Sequence, residues 1–330
     1  MSQVTIRDIA KASGLSIGTV SRGLRNQTGL SDSTRQIVHD WAARMGYDLS
    51  QLRRHRIRRV GFLLHSQHNT LASSPFFSSV LHGAEQVCRR DGITLSFIVA
   101  GPTDRVIDQS RVQQLDAFLC AGYFEPEILD SLRRIGKPMV LVDMHRHGIT
   151  SVNPDHQRGS FLATSHLLRS GRRHIAVIAG SPAHYSLQQR ALGYRRALFE
   201  AGIQADPDLE VVASHLGDGD AGVTAAMRRL LGLRRRPDAV VCFNDSAALV
   251  AMQHCLAEGL RIPQDIAIVG FDDISGASIA HPPLSTVRVD KEALGAKGLE
   301  LLLGHTPSEE PLELVMPVDL IVRDSSSSLD

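Results

Sequence analysis

The sequence has few of the features that mark membrane-spanning, secreted or disulfide-stabilised proteins. Its apolar runs are all too short to span a bilayer, and its start, MSQVTIRDIA, has no basic patch followed by the apolar stretch of a secretory signal. The four cysteines among 330 residues, Cys88, Cys120, Cys242 and Cys255, include no CxxC pair and have no histidine at metal-ligand spacing. We therefore expect a cytoplasmic protein with reduced thiols, no metal site and no membrane contact.

Signatures of nucleotide binding and of catalysis are missing as well. No GxGxxG follows an apolar run and no GxxxxGK[ST] occurs, so the sequence does not support a phosphate-binding loop. The histidines are scattered, among them His65, His68, His82, His145 and His147, and we find no nucleophile paired with a base. We interpret them as ordinary surface or loop residues, and we expect a protein that is not an enzyme and needs no cofactor.

What the sequence does contain is an uneven distribution of charge. Residues 1–59 carry eleven Lys and Arg against four Asp and Glu, a net charge of +7. The remaining residues carry 25 against 31, a net charge of −6. A small basic head on a mildly acidic body favours a polyanionic partner at the head alone, although a solvated basic tail would give the same pattern.

The head has the pattern of three short helices, which predicts a helix-turn-helix domain over residues 1–47. Thr5 and Asp8 resemble a capping box that begins the first helix, and Gly14 ends it in a tight turn. Ser16 is a natural N-cap for a second helix from Ile17 to Leu24. A third helix begins after Ser31 or Asp32 as the cap, and its predicted apolar stripe consists of Ile37, Val38, Trp41, Ala42 and Met45.

The sequence VTIRDIAKASGLSIGTVSRGLRN, followed by LSDSTRQIV and MGY, closely resembles the DNA-binding head of the LacI/GalR family of bacterial repressors. The resemblance implies that Ile17, Gly18 and Arg22 read base edges. Arg22 could bind a guanine edge with two hydrogen bonds, Ile17 offers only apolar contact and Gly18 has no side chain, so readout should depend mainly on Arg22. The other expected DNA contacts suit phosphates and are Thr5, Arg7, Ser16, Thr19, Ser21 and Asn26. A solvent-facing helix charge is the alternative for Arg22.

Residues 48–59 read DLSQLRRHRIRR and form the joint between head and core. The resemblance implies a hinge helix whose leucine wedges into the minor groove, and Leu52, followed by Arg53, takes that position. The joint is about four residues, or one helical turn, shorter than the family's usual hinge. A flexible charged linker therefore stays open as the alternative.

From Val60 onward, apolar runs alternate with amphipathic stretches. The predicted strands are VGFLL, LSFIV, AFLC, MVLV, IAVIA, AVVCF and IAIVG, and the predicted helices cover residues 77–91, 155–170, 189–201 and 245–258. Continuous apolar strands separated by helices indicate parallel sheets that are covered on both faces. Such sheets bind ligands at the carboxyl ends of their strands.

The core also resembles the LacI/GalR family, whose core is similar to periplasmic sugar-binding proteins. The matching segments are SPFF, VNPDHQRGS, HLLRSGRRHIAVIAG, QRALGYRRAL, CFNDSAAL, IPQDIAIVGFDD and HPPLSTVRVD. The resemblance implies an α/β core over residues 60–330 with a cleft between two lobes. Lobe one covers about 60–155 and 287–316, and lobe two covers about 156–286 and 317–330.

By position, the resemblance also implies an effector-binding cleft. Its expected residues are Phe76, Phe77 and Asp143 from lobe one and Ser186, Arg190, Asn244 and Asp272 from lobe two. Such side chains suit paired hydrogen bonds to vicinal hydroxyls and an aromatic cover for a sugar face. Structural roles are the alternatives: Asn244 and Asp272 could cap, and Phe76 could pack in the core. Arg190, if buried, needs a partner.

These features predict a sequence-specific transcriptional repressor that binds a pseudo-palindromic DNA operator as a homodimer. The segment SSSSLD has no leucine heptad, so we expect no tetramer-forming coiled coil. We expect a small carbohydrate effector to control operator affinity.

Two departures from the family, Gly217 where an aromatic is common and the long segment HSQHNTLASSPFF, predict a ligand that is larger than one hexose or differently oriented. A nucleobase or nucleoside effector stays open, because Phe76, Phe77 and Arg190 would also suit a purine. A non-regulatory cytoplasmic sugar-binding protein is the other alternative.

Overall fold

The computed structural model describes residues 4–24, 29–47, 57–66, 75–101, 113–213, 220–304 and 310–327. Three helices form the head: α1 (Ile6–Ser13), α2 (Ile17–Leu24) and α3 (Asp32–Arg44). A capping box begins α1, since Asp8 Oδ2 accepts from Thr5 N (2.8 Å) and Thr5 Oγ1 accepts from Asp8 N (3.4 Å). Gly14 then ends the helix with a φ of 70°.

The head has a small apolar core of its own. Its buried members are Ile9, Ala10, Val20, Leu24, Val38, Ala42 and Tyr47. Ser31 is the N-cap of α3, with its Oγ accepting from Thr34 N at 3.2 Å. The predicted stripe of α3 is wrong at Ile37, which is 45% exposed, because Val38 and Ala42 are the residues that face α1 and α2.

The core of the molecule contains most of the secondary structure. Its described elements, in chain order, are β1 (Arg59–His65), α4 (Pro75–Asp91), β2 (Thr94–Ala100), β3 (Ala117–Ala121), α5 (Pro126–Arg134), β4 (Met139–Val142), β5 (Ser151–Pro154), α6 (His156–Arg169), β6 (Ile175–Ala179), α7 (Tyr185–Glu200), β7 (Glu210–Val212), α8 (Asp220–Leu231), β8 (Ala239–Cys242), α9 (Asp245–Ala257), β9 (Ala267–Asp272), α10 (Ser275–Ile279), β10 (Ser285–Arg288), α11 (Lys291–Gly304), β11 (Glu313–Met316) and β12 (Asp319–Ile321). Within this part of the chain, no helix is long and apolar enough to cross a membrane.

The strands form two six-stranded sheets, one in each lobe. The sheet of lobe one has the order β11-β5-β4-β3-β1-β2 and is parallel throughout. The sheet of lobe two has the order β12-β10-β9-β8-β6-β7, in which β12 alone is antiparallel to its neighbour. In β3, β4, β8 and β9 every residue is buried, as expected for central strands covered by helices on both faces.

The chain passes between the lobes three times, after β5, after β10 and after β11. We expected lobe one to resume at about residue 287. Val287 and Arg288 instead pair with Phe271 and Asp272 in the second sheet, so the boundary follows Arg288. The sequence did not reveal this because cross-strand hydrogen bonds, and not local patterns, decide where a strand ends.

Two charged residues hold the crossing after β10. Lys291 Nζ donates to the carbonyl oxygens of Asp272, Asp273 and Val289. The Asp273 carboxylate accepts from Arg288 Nε and Arg323 Nη2, each at 2.7 Å. The carboxyl end of β9 is therefore fixed to the segments that lead into both lobes.

Candidate functional sites in the head and between the lobes

The start of α2 presents the side chains that we expected to read DNA. Ser16 Oγ accepts from Thr19 N at 3.0 Å and so caps the helix, and it also hydrogen-bonds the Thr19 hydroxyl at 2.8 Å. Ile17 is 52% exposed and Gly18 lies beside it at the surface. The first turn of α2 is thus well ordered by its own cap and presents an apolar side chain to solvent.

Arg22 extends from the same exposed face. Its Nε donates to the carbonyl oxygen of Gly18 at 3.4 Å, which aligns the side chain with the helix and leaves the Nη groups at the surface. Ser21 beside it is half-buried. Arg22, Ile17 and Gly18 therefore share one exposed surface, which we call the recognition face.

The expected phosphate contacts surround this face only in part. Thr5 and Arg7 are exposed at the start of α1, and the Thr5 hydroxyl is engaged by Asp8 at 2.7 Å. The predictions for Asn26, Leu52 and Arg53 fall outside the described residues.

In the core, two predicted effector residues lie at the carboxyl ends of strands on opposite sides of the lobe boundary. Asp143 follows β4 in lobe one, and Asp272 ends β9 in lobe two. Both are buried and both have positive φ values, 59° and 111°. Such backbone conformations cost about 1–3 kcal/mol each in a non-glycine residue and are concentrated at ligand sites. This geometry marks the two carboxylates as candidate ligand contacts.

Arg190, one helical turn into α7, has the partner that its burial requires. Its Nη2 donates to Asp272 Oδ1 at 3.3 Å, and its Nη1 donates to the carbonyl oxygen of Phe243. The guanidinium carbon lies 3.7 Å from the centre of the Phe271 ring, a cation–π contact. Arg190 is thus held by contacts on several sides in one buried position.

His156 connects this group to Asp143. Its Nδ1 accepts from Arg190 Nε at 3.4 Å, and its Nε2 lies 3.1 Å from Asp143 Oδ1. Asp143, His156, Arg190 and Asp272 therefore form one continuous chain of buried polar groups from lobe one to lobe two, which we call the interlobe polar chain.

Burial sets the protonation of this chain. It lowers the pKa of His156 below the usual range, and the nearby charge of Arg190 adds to that shift while Asp143 opposes it. Burial also raises the pKa of Asp272 to about 6, against the opposing charge of Arg190. At neutral pH the imidazole of His156 is thus uncharged and Asp272 is ionised.

Aromatic and polar side chains from both lobes surround the polar chain. The Tyr123 ring of lobe one stacks on the His184 ring of lobe two, with centroids 4.6 Å apart and planes 20° apart. Tyr185 Oη donates to Glu313 Oε1 at 2.8 Å, again between the lobes. These two contacts join the lobes in addition to the interlobe polar chain.

The other predicted effector residues have mainly structural positions. Phe76 and Phe77 are 7% and 5% exposed and pack edge to face at 5.0 Å within the core of lobe one. Asn244 caps α9, with its Oδ1 accepting from Ala247 N at 2.8 Å. Ser186 is buried in the first turn of α7, one turn before Arg190. The alternatives of core packing for Phe76 and helix capping for Asn244 describe their contacts correctly.

The interpretation of the histidines as surface or loop residues is wrong for part of the set. His82, His145 and His147 are exposed, but His65 is fully buried at the end of β1, where its Nε2 lies 3.0 Å from Glu125 Oε2. His156 and His184, which sequence reasoning did not select, are also buried. The segment VNPDHQRGS carried a signal for His156, since it places a titratable residue directly at the start of a predicted helix. Among the described residues, no group of three or more His, Cys, Asp and Glu side chains could hold a metal ion.

The head and the second lobe each match a known family of domains. Residues 5–49 match the bacterial regulatory proteins of the lacI family, and residues 164–326 match the periplasmic binding protein-like domain. The ribose operon repressor of Haemophilus influenzae is 32% identical over 340 residues, covering 98% of this chain and 99% of that repressor. The chain belongs to the LacI family of bacterial regulatory proteins. The transcriptional repressor PurR of Vibrio atlanticus, 31% identical and covering 99% of both chains, is another LacI-family relative.

Solved structures confirm the predicted fold of this LacI-family chain. The complex of the transcriptional regulator CelR with cellobiose is 27% identical, has a TM-score of 0.73 and covers 98% of this chain and all of that chain. The lac repressor dimer bound to its operator and the anti-inducer ONPF has a TM-score of 0.71 over 98% of this chain and 99% of its own; at 24% identity it supports the fold alone. A helix-turn-helix head with a two-lobed α/β core is therefore the architecture of the whole chain.

Proposed function

We propose that this LacI-family repressor binds operator DNA as a homodimer and that a small carbohydrate, held between the lobes, changes its affinity for the operator. The observation that carries the effector half is the interlobe polar chain of Asp143, His156, Arg190 and Asp272. It brings donors and acceptors from both lobes together, with Asp143 and Asp272 at the carboxyl ends of β4 and β9, which suits a molecule with several hydroxyl groups.

The names of two of the similar proteins are consistent with this class of ligand. One relative is a ribose operon repressor, and one similar structure contains cellobiose. The recognition face supports the DNA half, because its residues are exposed along the second helix of a helix-turn-helix, from Ile17 and Gly18 at its start to Arg22 in its last turn. A nucleobase is less well supported, since Phe76 and Phe77 pack against each other in the core and Arg190 covers a face of Phe271.

A ligand panel tests the effector half. We expect cellobiose, D-ribose or another saccharide, and not hypoxanthine or guanine, to raise the melting temperature of the full chain and to change its operator affinity. A ligand at one hundred times its Kd stabilises the folded state by about 2.7 kcal/mol, an effect of several degrees. Thermal unfolding followed by operator binding in the same buffer is the measurement.

Two variants of α7 provide the matched comparison. Arg190→Ala should remove the response to the ligand, whereas Arg195→Ala, which removes an exposed arginine paired with Glu210, should keep it. Stabilisation by nucleobases alone would identify the other effector class. A saccharide response that persists in Arg190→Ala would contradict the site.

A further inference from the structure

Asp143 and His156 face each other where the two lobes meet. Asp143 belongs to lobe one, and His156 is the first residue of α6, directly after the crossing at Asp155. Their side chains are 9% and 1% exposed, and Asp143 Oδ1 lies 3.1 Å from His156 Nε2. Although this distance is short, the two atoms are not aligned as a hydrogen bond, and neither has another hydrogen-bond partner among the described residues. A buried donor and a buried acceptor thus lie side by side without satisfying each other.

The tautomer of His156 follows from Arg190. A guanidinium can only donate, so the imidazole nitrogen that Arg190 Nε approaches, Nδ1, must be an acceptor. In the uncharged ring the proton then lies on Nε2, the nitrogen that faces Asp143. At this point the interface therefore presents one N–H donor from lobe two and one carboxylate acceptor from lobe one.

We propose that Asp143 and His156 together bind one hydroxyl group of the effector, whose oxygen accepts from His156 Nε2 and whose hydrogen is donated to Asp143. This inference rests on the proposed function, a carbohydrate effector between the lobes. A hydroxyl, like the water molecule that it would displace, both accepts and donates from a single oxygen atom, so it satisfies both partners at once.

Two consequences concern the ligand and the response. A phosphate or carboxylate group has only acceptor atoms when ionised and would lie against the Asp143 carboxylate, so the effector presents an uncharged polyol at this position. Because the two partners belong to different lobes, the hydroxyl interacts fully only when the lobes are close together. The effector would then favour the closed arrangement by this differential interaction.

The tautomer can be measured on the full chain without any ligand. Nitrogen-15 NMR of the histidine side chains, assigned through His156→Gln, should show His156 as an uncharged ring with its proton on Nε2 at pH 7. A charged ring, or a proton on Nδ1, would overturn the inference whatever the effector is.

Ligand binding tests the hydroxyl itself, with cellobiose and D-ribose as the probes in titration calorimetry. His156→Phe removes the donor and keeps a ring, and it should weaken binding of the responding sugar by about tenfold or more. His156→Gln should recover much of that loss, since its side-chain amide can donate from a position close to Nε2. The matched control is His166→Phe on the same helix, whose ring bonds Ser326 inside lobe two and should leave sugar binding unchanged.

Asp143→Asn completes the comparison. If one hydroxyl bridges both side chains, the double variant with His156→Phe should bind the sugar scarcely more weakly than either single variant. The inference would be overturned if the losses in sugar affinity multiply in the double variant, or if His156→Phe binds the sugar within twofold of the unaltered chain. Sugar binding by the unaltered chain would still uphold the proposed function. If neither sugar binds the unaltered chain, the carbohydrate proposal fails and this inference with it.

Discussion

Asp245 shows how burial changes a single ionisable group in this protein. It is fully buried beneath the end of β9, and its carboxyl accepts from Ile274 N at 2.8 Å and from the Thr286 hydroxyl. Burial raises its pKa to about 8, and the nearby charge of Asp272 adds to the rise. The folded chain therefore keeps a proton on Asp245 at neutral pH, whereas the unfolded chain releases it near pH 4.

This difference predicts how stability changes with pH. A carboxyl whose pKa is raised by folding contributes stability that is present at low pH and is lost as the pH rises toward about 8. Asp245→Asn removes the titration, so the free energy of unfolding of the variant relative to the unaltered chain should rise by up to about 1.4 kcal/mol per pH unit between pH 5 and 8. Urea unfolding at pH 5, 6, 7 and 8 measures it.

Asp265→Asn is the control for this measurement. Hydrogen bonds from Arg261 lower the pKa of the exposed Asp265 to about 2, so this group is ionised in both states throughout the window. Its substitution should shift stability by the same amount at every pH. If the free energy of unfolding of Asp245→Asn relative to the unaltered chain is also independent of pH, Asp245 is ionised in the folded chain.

At the scale of elements, each lobe contains a pair of helices that touch along their backbones. In lobe one α4 packs on α11, where a Cβ at Gly83 would overlap the carbonyl oxygen of Glu292 and a Cβ at Gly295 would overlap that of Val80. In lobe two, a Cβ at Gly193 of α7 would overlap the carbonyl oxygen of Gln157 in α6. Glycine is needed at these positions for the close approach of the two backbones and not for its φ range.

Gly295→Ala should therefore destabilise lobe one. The added methyl group meets backbone atoms that cannot rotate away, and overpacking of this kind costs typically about 1–3 kcal/mol. Chemical denaturation of the full chain measures the loss. Gly304→Ala, at the other end of α11 with open space around it, should show no such loss. Equal effects of the two substitutions would mean that the helices can separate without cost.

At the scale of the whole molecule, we expect two different features of the basic head to contribute to DNA binding. We expect general attraction to come from the net charge of +7 in residues 1–59 and base selection to come from the recognition face. In a homodimer each substitution occurs twice, once for each half-site. A substitution in the recognition face should therefore change the preference among operator sequences more than it changes the affinity for DNA in general.

Arg22→Ala tests this division. We expect it to weaken specific binding by about 1–3 kcal/mol per head and to relax base preference at one position of each half-site. Binding-site selection from random duplexes, followed by affinity measurements at fixed salt, gives both quantities. Arg44→Ala removes an exposed charge of the same type from the end of α3 and should alter general affinity only. Unchanged base preference in Arg22→Ala would remove Arg22 from the recognition face.

The lobes also act at this largest scale. Three crossings join them, and the Tyr123–His184 stack, the Tyr185–Glu313 hydrogen bond and the interlobe polar chain hold their facing surfaces together. A ligand that binds among these groups changes the balance between closed and open lobes only through its different affinity for the two arrangements.

The sequence by itself determined the local features of this protein. These features depend on residues that are close together in the chain, so the sequence pattern predicts them. Examples are the caps Thr5 and Ser31, the apolar strands β3 and β4 and the motif of the recognition face. The seven predicted strands are all present. The other five strands, β5, β7, β10, β11 and β12, were not among those predicted, because each has only three or four residues and is defined by its partners in the sheet.

Only the tertiary structure decided which of the predicted site residues meet. It joined Asp143, Arg190 and Asp272 through His156, assigned Phe76 and Phe77 to core packing and exposed Ile37. The side chains that contact one another between the lobes are separated by 13 residues for Asp143 and His156, 61 for Tyr123 and His184 and 128 for Tyr185 and Glu313. Burial, tautomer and pKa depend on neighbours from other elements, and for that reason the contacts of His156 with Asp143 and Arg190 became evident only from the fold.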